Sequence, residues 1–206
     1  NNLAMVASII SLQRNELPAD DQVHGAFEEL QSRIRAIAAV HEQLHQTGSI
    51  SRVHLPEYVA EVIRGITSSV LQSDGRIDLN MDVEELAVTA NEAAPIGLMI
   101  NEAVTNAVKH AFPEGRHGSI MVQVHGHSEP GKPRRVEITV ADDGVGLPSD
   151  AEPETSDSLG LVLLRSLASQ FGGTVSFTAV EDAGTGTGTT IAISIPTRAL
   201  RSGDLE

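Results

Sequence analysis

The chain has 206 residues, enough for one ordinary domain and a second, smaller domain. Its hydrophobic content of 40% is enough to build a core. Aromatic residues make up only 2% and the formal net charge is −14, which argues against a nucleic-acid-binding protein, because such proteins need basic or aromatic contact residues. The absence of cysteine excludes disulfides and thiolate metal sites, and no apolar run approaches the ~18 residues of a membrane span.

The start of the chain indicates a piece of a longer protein, and the acidic composition is typical of a cytoplasmic one. It begins Asn1-Asn2-Leu3 without a starting Met, and the closing Leu205-Glu206 is interpreted as a cloning remnant. No signal peptide is visible in the sequence.

The first fifty residues predict two helices. In the second, side chains of a heptad seam recur at alternating spacings of four and three: Val23, Phe27, Leu30, Ile34, Ile37, His41 and Leu44. A single hairpin leaves much of its apolar stripe uncovered, so residues 1–48 are predicted to form a four-helix bundle in a homodimer. The alternative is that the hairpin packs on its own globular domain.

From residue 51 onward the pattern changes to mixed α/β, and it predicts a catalytic domain over 51–197 followed by a tail over 198–206. The predicted helices cover 56–71, 93–111 and 159–171, and the predicted strands cover 77–83, 86–89, 119–126, 134–141, 173–180 and 188–195. Few strands are joined by β-α-β crossovers. The fold class is therefore α+β, with a mixed, mostly antiparallel sheet covered by helices on one face.

The long helix carries the first group of chemistry-bearing residues. Glu102, Asn106 and His110 are spaced i, i+4, i+8 and share one face, with Lys109 beside them. A carboxylate and an amide oxygen one turn apart suit Mg²⁺ bound to phosphates, to which Lys109 adds a point charge. The alternative is an ordinary solvated helix face.

The second group follows a strand. Asp142 stands at the strand end, and Gly144 and Gly146 permit a close backbone approach to a ligand. An Asp-Gly pair also makes common hairpin turns. The polar loop that follows, Leu147–Ser158, is too long for a tight hairpin and is a candidate mobile lid.

The third group is Ser158-Leu159-Gly160-Leu161, which leads directly into a predicted helix. A Gly at a helix N-terminus exposes backbone N–H groups to an anion at the positive end of the helix dipole. The alternative is an ordinary helix capped by Ser158.

The fourth group is the glycine string over 184–190, which precedes the last strand. No helix follows it, so the dinucleotide-binding interpretation fails. A flexible hairpin loop with a Thr facing a ligand pocket fits better. The sequence contains neither a P-loop nor an H-E-x-x-H motif.

The order of these four groups resembles one superfamily. The segments N-E-A-V-T-N-A-V-K-H at 101–110, D-D-G-V-G-L-P at 142–148, S-L-G-L at 158–161 and G-T-T-I at 188–191 look like its N, G1 and G2 boxes and terminal G-T. This is the Bergerat-type ATPase group of DNA gyrase B, the ninety-kilodalton heat-shock chaperone, histidine kinases and MutL. The resemblance implies a Bergerat α/β sandwich that binds ATP with Mg²⁺.

Within that group, the chain resembles sensor histidine kinases of the second dimerisation and phosphoacceptor subfamily, which is related to the HWE group. The resemblance is carried by residues 1–13, 35–44 and 109–113 and covers 1–196. The chain has no Trp and so lacks the W-x-E element, which places it beside the strict HWE group.

The resemblance implies a role for each matching residue. Asp142 accepts the adenine amino group with support from Thr189, and Asn106 coordinates Mg²⁺. The full implied nucleotide-binding set is Asn106, Lys109, His110, Asp142, Gly144, Gly146, Leu147, Ser158, Leu159, Gly160, Leu161 and Thr189. Glu102 is the implied catalytic residue: it polarises the attacking imidazole or completes the metal site, and the first interpretation is favoured.

The subfamily's phosphoacceptor histidine belongs about four residues before Asn1, and is expected to lie upstream of this chain. His41 with Glu42 mimics the His-acid pair of other histidine kinases. Because His41 lies on the heptad seam, a packed structural histidine is the better interpretation.

The implied function is that of a sensor histidine kinase core. An upstream sensor domain controls transfer of the γ-phosphoryl group to a histidine and then to an aspartate on the receiver domain of a response regulator. The competing hypotheses are a serine kinase of the anti-sigma-factor type and a catalytically inactive nucleotide-binding dimerisation module.

Overall fold

The structure is a computed structural model that describes residues 52–70, 77–131, 133–147, 159–182, 186–198 and 200–201. The helices are α1 (Leu55–Val70), α2 (Ala90–His110) and α3 (Leu159–Gln170), with a 3₁₀ turn at Pro113–Gly115. The strands are β1 (Val53–His54), β2 (Ile77–Val83), β3 (Leu86–Val88), β4 (Gly118–His127), β5 (Arg135–Asp142), β6 (Thr174–Asp182), β7 (Gly186–Pro196) and β8 (Leu200–Arg201).

Several sequence-based predictions lie outside the described residues. They are the helical hairpin over 1–48 with His41, most of the candidate lid beyond Leu147, and Ser158. None of the three described helices is both long and apolar enough to cross a lipid bilayer.

The main sheet has five strands in the order β2-β4-β5-β7-β6. Strands β2 and β4 run parallel, and the other neighbours are antiparallel. Along β4, Ile120 and Val122 are buried whereas Met121 and Gln123 are exposed, because successive side chains point to opposite faces. The buried face packs against the helices in one aliphatic core. The predicted α+β fold, with helices on one face of a mixed sheet, is confirmed for this part of the chain.

A second, three-stranded sheet has the order β1-β3-β8, with both pairs antiparallel. Two of these strands have only two residues, which is too short for a pattern of alternation to be visible in the sequence. Strand β8 lies within 198–206, the segment predicted as a tail, and its pairing with β3 adds it to the domain.

Glu92 joins the start of α2 to the end of the domain. Its Oε2 accepts hydrogen bonds from the backbone N (2.9 Å) and Oγ1 (2.7 Å) of Thr89. Its Oε1 accepts from Thr197 Oγ1 (3.1 Å) and from the backbone N of Arg198 (2.8 Å). The bond from the Thr89 backbone N belongs to a capping box, which explains why α2 begins at Ala90 rather than near Ala93.

Replacing Glu92 with Gln is expected to destabilise the domain by about 2 kcal/mol at pH 7, because charge-assisted hydrogen bonds are lost. Burial favours the acid form of Glu92, but hydrogen bonds from Thr89, Arg198 and Thr197 outweigh it and lower the pKa below the ordinary 4.5. A lowered pKa gives stability that is present above the ordinary value and lost as the pH falls through the lowered one.

The measurement is urea denaturation of wild type and Glu92→Gln at pH 7 and in acid. The gap between the two should close in acid. The exposed Glu137 on β5 provides a control, since Glu137→Gln should change stability by less than about 0.5 kcal/mol. An equally large loss in the control variant would contradict the assignment.

Candidate nucleotide-binding site

A cavity of about 360 Å³ lies between α2 and the main sheet. Its walls are mostly apolar, with a few polar groups, which is the usual composition of a small-molecule site. The lining residues are Ala103, Asn106, Ala107, His110, Ala111, Val140, Asp142, Val145, Gly146, Leu147, Leu161, Phe177, Thr189 and Ile191.

Asp142 supplies the carboxylate of this cavity from the end of β5. Its Oδ1 accepts hydrogen bonds from the backbone N of Gly144 (3.0 Å) and of Thr189 (3.2 Å). Burial raises the pKa of Asp142, the two backbone donors oppose this effect, and the neighbouring Asp143 adds to it. The two donors fix the carboxylate in an apolar pocket, where it can accept a hydrogen bond from a ligand amine.

Asp143 has a different role from its neighbour. Its Oδ1 accepts from the backbone N of Ser119 (2.7 Å) and its Oδ2 from Ser119 Oγ (2.8 Å). These bonds hold the loop against the start of β4. Of these two adjacent carboxylates, only that of Asp142 lines the cavity.

The loop after Asp142 is held tightly against the end of α2. The backbone N of Val145 donates to the carbonyl oxygen of Ala111 at 2.9 Å. A Cβ added at Gly144 would clash with the Cβ and carbonyl oxygen of Ala111 and would lie 2.7 Å from its Cα. Gly146 has a φ of +76°, in the left-handed region that favours glycine.

Replacing Gly144 with Ala should therefore displace the loop from α2. We expect a loss of about 1–3 kcal/mol in the free energy of unfolding, as for other overpacked sites, together with weaker nucleotide binding. Gly65, in the middle of α1, is the matched control because a Cβ there would meet no atom within 4 Å.

Gly65→Ala should be neutral or stabilising by up to about 1 kcal/mol, since Ala is the better helix former. Thermal denaturation and nucleotide titration of both variants check the pair. If Gly144→Ala were as stable as wild type, the close approach would not constrain the loop.

Glu102 and Asn106 lie one turn apart on α2 and face the first turn of α3. A Cβ added at Gly160 would lie 3.1 Å from Glu102 Oε2 and 3.4 Å from Asn106 Oδ1. Glu102 is only 4% exposed. Glu102 of the predicted N box and Gly160 of the predicted G2 box, 58 positions apart in the sequence, are thus brought together.

The amide of Asn106 is incompletely satisfied. Its Nδ2 is buried and has no hydrogen-bond partner within the part of the chain that the structure describes. Buried polar groups without partners are rare in proteins. An N–H donor left open beside an apolar cavity fits a ligand atom that accepts a hydrogen bond.

The described residues contain no cluster of three or more His, Cys, Asp or Glu side chains suited to a metal ion. Mg²⁺ often uses only one or two protein ligands, with substrate phosphates and water completing its shell. A single amide oxygen from Asn106 would be enough for a Mg²⁺ ion bound in this way.

Several residues of the predicted set meet at the cavity: Asn106, His110, Asp142, Gly146, Leu147, Leu161 and Thr189. Gly144 and Gly160 lie beside it, and Lys109 is exposed on the last turn of α2 rather than in the cavity wall. Ser158 and the side chain of Leu159 lie outside the described residues.

The described part of the glycine string, from Gly186 to Thr190, belongs to a strand rather than to the flexible loop predicted for 184–190. Strand β7 begins at Gly186 and pairs Thr189 with Asp142. A Cβ added at Gly188 would clash with the carbonyl oxygen of Asp142. The glycine allows close strand pairing, which a pattern of alternating Gly and Thr does not distinguish from a loop.

Most of the apolar wall was not predicted as part of the site. Phe177 on β6 and Ile191 on β7 line the cavity, and Ala103 faces it from α2. Their only signal in the sequence is the alternation or helical periodicity of core residues. Nothing in that signal separates a cavity wall from the rest of the core.

Comparison with known proteins matches two families along the chain. Residues 1–70 match a histidine kinase family, and residues 91–199 match the family described as histidine kinase-, DNA gyrase B- and HSP90-like ATPase. The second match contains all the residues that line the cavity, and the first covers a segment that precedes them in the sequence.

Individual relatives are also histidine kinases. Blue-light-activated histidine kinase 2 of Erythrobacter litoralis is 30% identical over 198 residues, covering 95% of this chain and 54% of the relative. Sensor histidine kinase PdtaS of Mycobacterium tuberculosis is 31% identical over 170 residues, covering 82% of this chain and 32% of the relative. The chain thus spans about half or less of the length of these relatives.

A solved structure is also similar to this chain. The histidine kinase domain of the Erythrobacter litoralis blue-light-activated kinase EL346 aligns with a TM-score of 0.68 at 28% identity. The alignment covers 96% of this chain and 86% of that domain.

Proposed function

The chain belongs to the histidine kinase-, DNA gyrase B- and HSP90-like ATPase family, in its sensor histidine kinase branch, and on this basis we propose that it binds Mg-ATP and drives phosphorylation of a histidine. The γ-phosphoryl group then passes to an aspartate on the receiver domain of a response regulator. Such transfer depends mainly on positioning and charge neutralisation.

The observation that carries the proposal is the fixed carboxylate in an apolar pocket. Asp142 accepts two backbone N–H bonds on Oδ1, which leaves further acceptor capacity toward the cavity. The adenine amino group is a donor of suitable size, and the surrounding Val140 and Ile191 side chains suit the flat apolar ring.

The phosphates extend from the pocket toward α3 in this proposal. The N-terminus of a twelve-residue helix lies there, with Gly160 in its first turn. Unpaired backbone N–H groups and the helix dipole favour an anion at this position. Lys109, exposed on the last turn of α2, would supply a positive charge for the phosphates.

Asn106 would hold Mg²⁺ through its amide oxygen, and the bound cation would neutralise charge on the phosphates. Glu102 lies one turn before Asn106 and would polarise the imidazole of the acceptor histidine. Its buried carboxylate stands at Gly160, which is the proposed phosphate end of the site.

In the intact protein we expect the hairpin over 1–48 to dimerise the kinase and to follow an upstream sensor domain. The acceptor histidine would lie in the segment just before Asn1. The protein would act in the cytoplasm, where ATP and response regulators are found.

Two experiments test the proposal. The first is calorimetric titration of this chain with ATP in Mg²⁺ and again in excess EDTA, which should show tighter binding in Mg²⁺. The second extends the chain upstream by about twenty residues, in line with the predicted histidine position, and incubates it with labelled ATP and Mg²⁺.

A phosphohistidine label is unstable in acid and stable in base, and that result supports the proposal. An acid-stable label would instead favour the serine kinase hypothesis. Binding of ATP without any label in the extended chain would favour an inactive nucleotide-binding module.

A further inference from the structure

Asn101 stands next to Glu102 on α2 and is more deeply buried than Glu102 itself. Its exposure is 2%, against 4% for Glu102. An asparagine buried to this extent in a helix needs hydrogen-bonding partners, because an unsatisfied amide is costly. Burying Asn101 therefore costs desolvation energy that an apolar side chain at this position would not cost.

The amide of Asn101 is directed at the Glu102 carboxylate. Its Nδ2 donates to Glu102 Oε1 at 3.4 Å. A carboxylate only accepts hydrogen bonds, so the amide nitrogen rather than the amide oxygen must face it. Adjacent residues on a helix do not ordinarily face each other, so this contact requires both side chains to lean toward the same side.

The two oxygens of Glu102 consequently have different surroundings. Oε1 accepts from Asn101, and Oε2 lies at Gly160, in the first turn of α3. The hydrogen bond from Asn101 holds Oε1, so Oε2 stays at the proposed phosphate end of the site. A free rotation of the carboxylate would exchange these two roles.

Helices α1 and α2 approach each other closely on the stretch of α2 that precedes Asn101. One turn earlier on α2, a Cβ at Gly97 would clash with Tyr58 Oη and lie 2.6 Å from Tyr58 Cζ. The fully buried Tyr58 of α1 therefore occupies space that only a glycine leaves open. This close approach brings the two helices together beside Asn101.

We propose that Asn101 is a positioning residue, which orients the Glu102 carboxylate toward the acceptor histidine. The proposal rests on the kinase function proposed above and assigns it a residue outside the nucleotide pocket, since Asn101 does not line the cavity. In this proposal Asn101 acts on the reaction through Glu102 and does not contact ATP.

The test uses the chain extended upstream through the predicted histidine, with the rate of phosphohistidine formation measured against ATP concentration. Asn101→Leu keeps the approximate volume but removes the donor. We expect kcat to fall about tenfold, the effect of one hydrogen bond on a transition state, with the KM for ATP unchanged.

A double-mutant cycle separates positioning from a general structural effect. In a Glu102→Gln background, which retains a low residual rate, Asn101→Leu should cause no further loss of kcat. A structural defect would lower the rate again in that background and would overturn the proposal, as would a wild-type kcat for Asn101→Leu alone.

Thr105 provides the matched control one turn further along α2. It is 6% exposed, and its hydroxyl has no hydrogen-bond partner among the described residues. Thr105→Val should leave kcat within about twofold of wild type, because no hydrogen bond is lost. If the extended chain without any substitution formed no phosphohistidine, that result would contradict the proposed kinase function and not the role of Asn101.

Discussion

Asp142→Ala is expected to weaken ATP binding by about 100-fold, because a hydrogen bond to a charged group in a buried site contributes about 1.5–3 kcal/mol. The variant removes the proposed acceptor for the adenine amino group and leaves the backbone donors of Gly144 and Thr189 without the Asp142 carboxylate. Titration calorimetry with ATP at constant Mg²⁺ measures the change directly.

The adjacent carboxylate provides a control of equal charge. Asp143 is exposed and bonded to Ser119 rather than to the cavity. Asp143→Asn should change ATP affinity by less than about threefold, since the Asn oxygen can still accept from the backbone N of Ser119 and the side chain does not line the cavity. An unchanged affinity in Asp142→Ala would show that the adenine site lies elsewhere.

Asp142→Asn should change ATP binding and the stability of the domain in opposite directions. Because the environment raises the pKa of Asp142 above its ordinary 3.8, the folded state holds this proton more tightly than the unfolded chain does. Stability therefore falls as the pH rises from the ordinary value through the raised one. The neutral Asn should stabilise the ligand-free domain at pH 7 while weakening ATP binding, which thermal denaturation with and without ATP can measure.

Glu102→Gln is expected to lower the rate of phosphohistidine formation by about 100-fold or more, the usual effect of losing a general base. The amide has nearly the same shape as the carboxylate, so the contacts with Asn101 and Gly160 can be retained. The measurement is single-turnover labelling of the chain extended upstream through the predicted histidine.

The affinity of the same variant for Mg-ATP shows whether Glu102 polarises the imidazole or completes the metal site. If it polarises the imidazole, Mg-ATP affinity should stay within about threefold of wild type while the rate falls. If it completes the metal site, affinity in Mg²⁺ should fall with the rate, and affinity in EDTA should not change. A wild-type rate would contradict both roles.

Much of the main sheet was predictable, because its strands alternate clearly between buried and exposed positions. Strand β4 was predicted at 119–126 and spans Gly118–His127. The N-box helix was equally visible, since its apolar side chains repeat at helical spacing over 93–111 and the helix spans Ala90–His110. Long elements with strong periodicity leave the clearest signal in a sequence.

The contacts that depend on close approach were not predictable. Gly144 was expected to shape the pocket, and the structure adds that it packs on Ala111 at the end of α2. The buried Asn101 and the four hydrogen bonds of Glu92 depend on residues brought together by tertiary packing. Local patterns carry no information about such partners until the fold is known.

The small sheet has a consequence for how this domain can be joined to others. Strands β1 and β8 pair with opposite sides of β3, so the chain passes in and out of the domain two strand spacings apart, or about 10 Å. Domains with neighbouring ends tolerate insertion into other proteins and circular permutation. Segments attached upstream of β1 and downstream of β8 would thus both connect to strands that pair with β3. A displacement of either segment would act on the same three residues, Leu86–Val88.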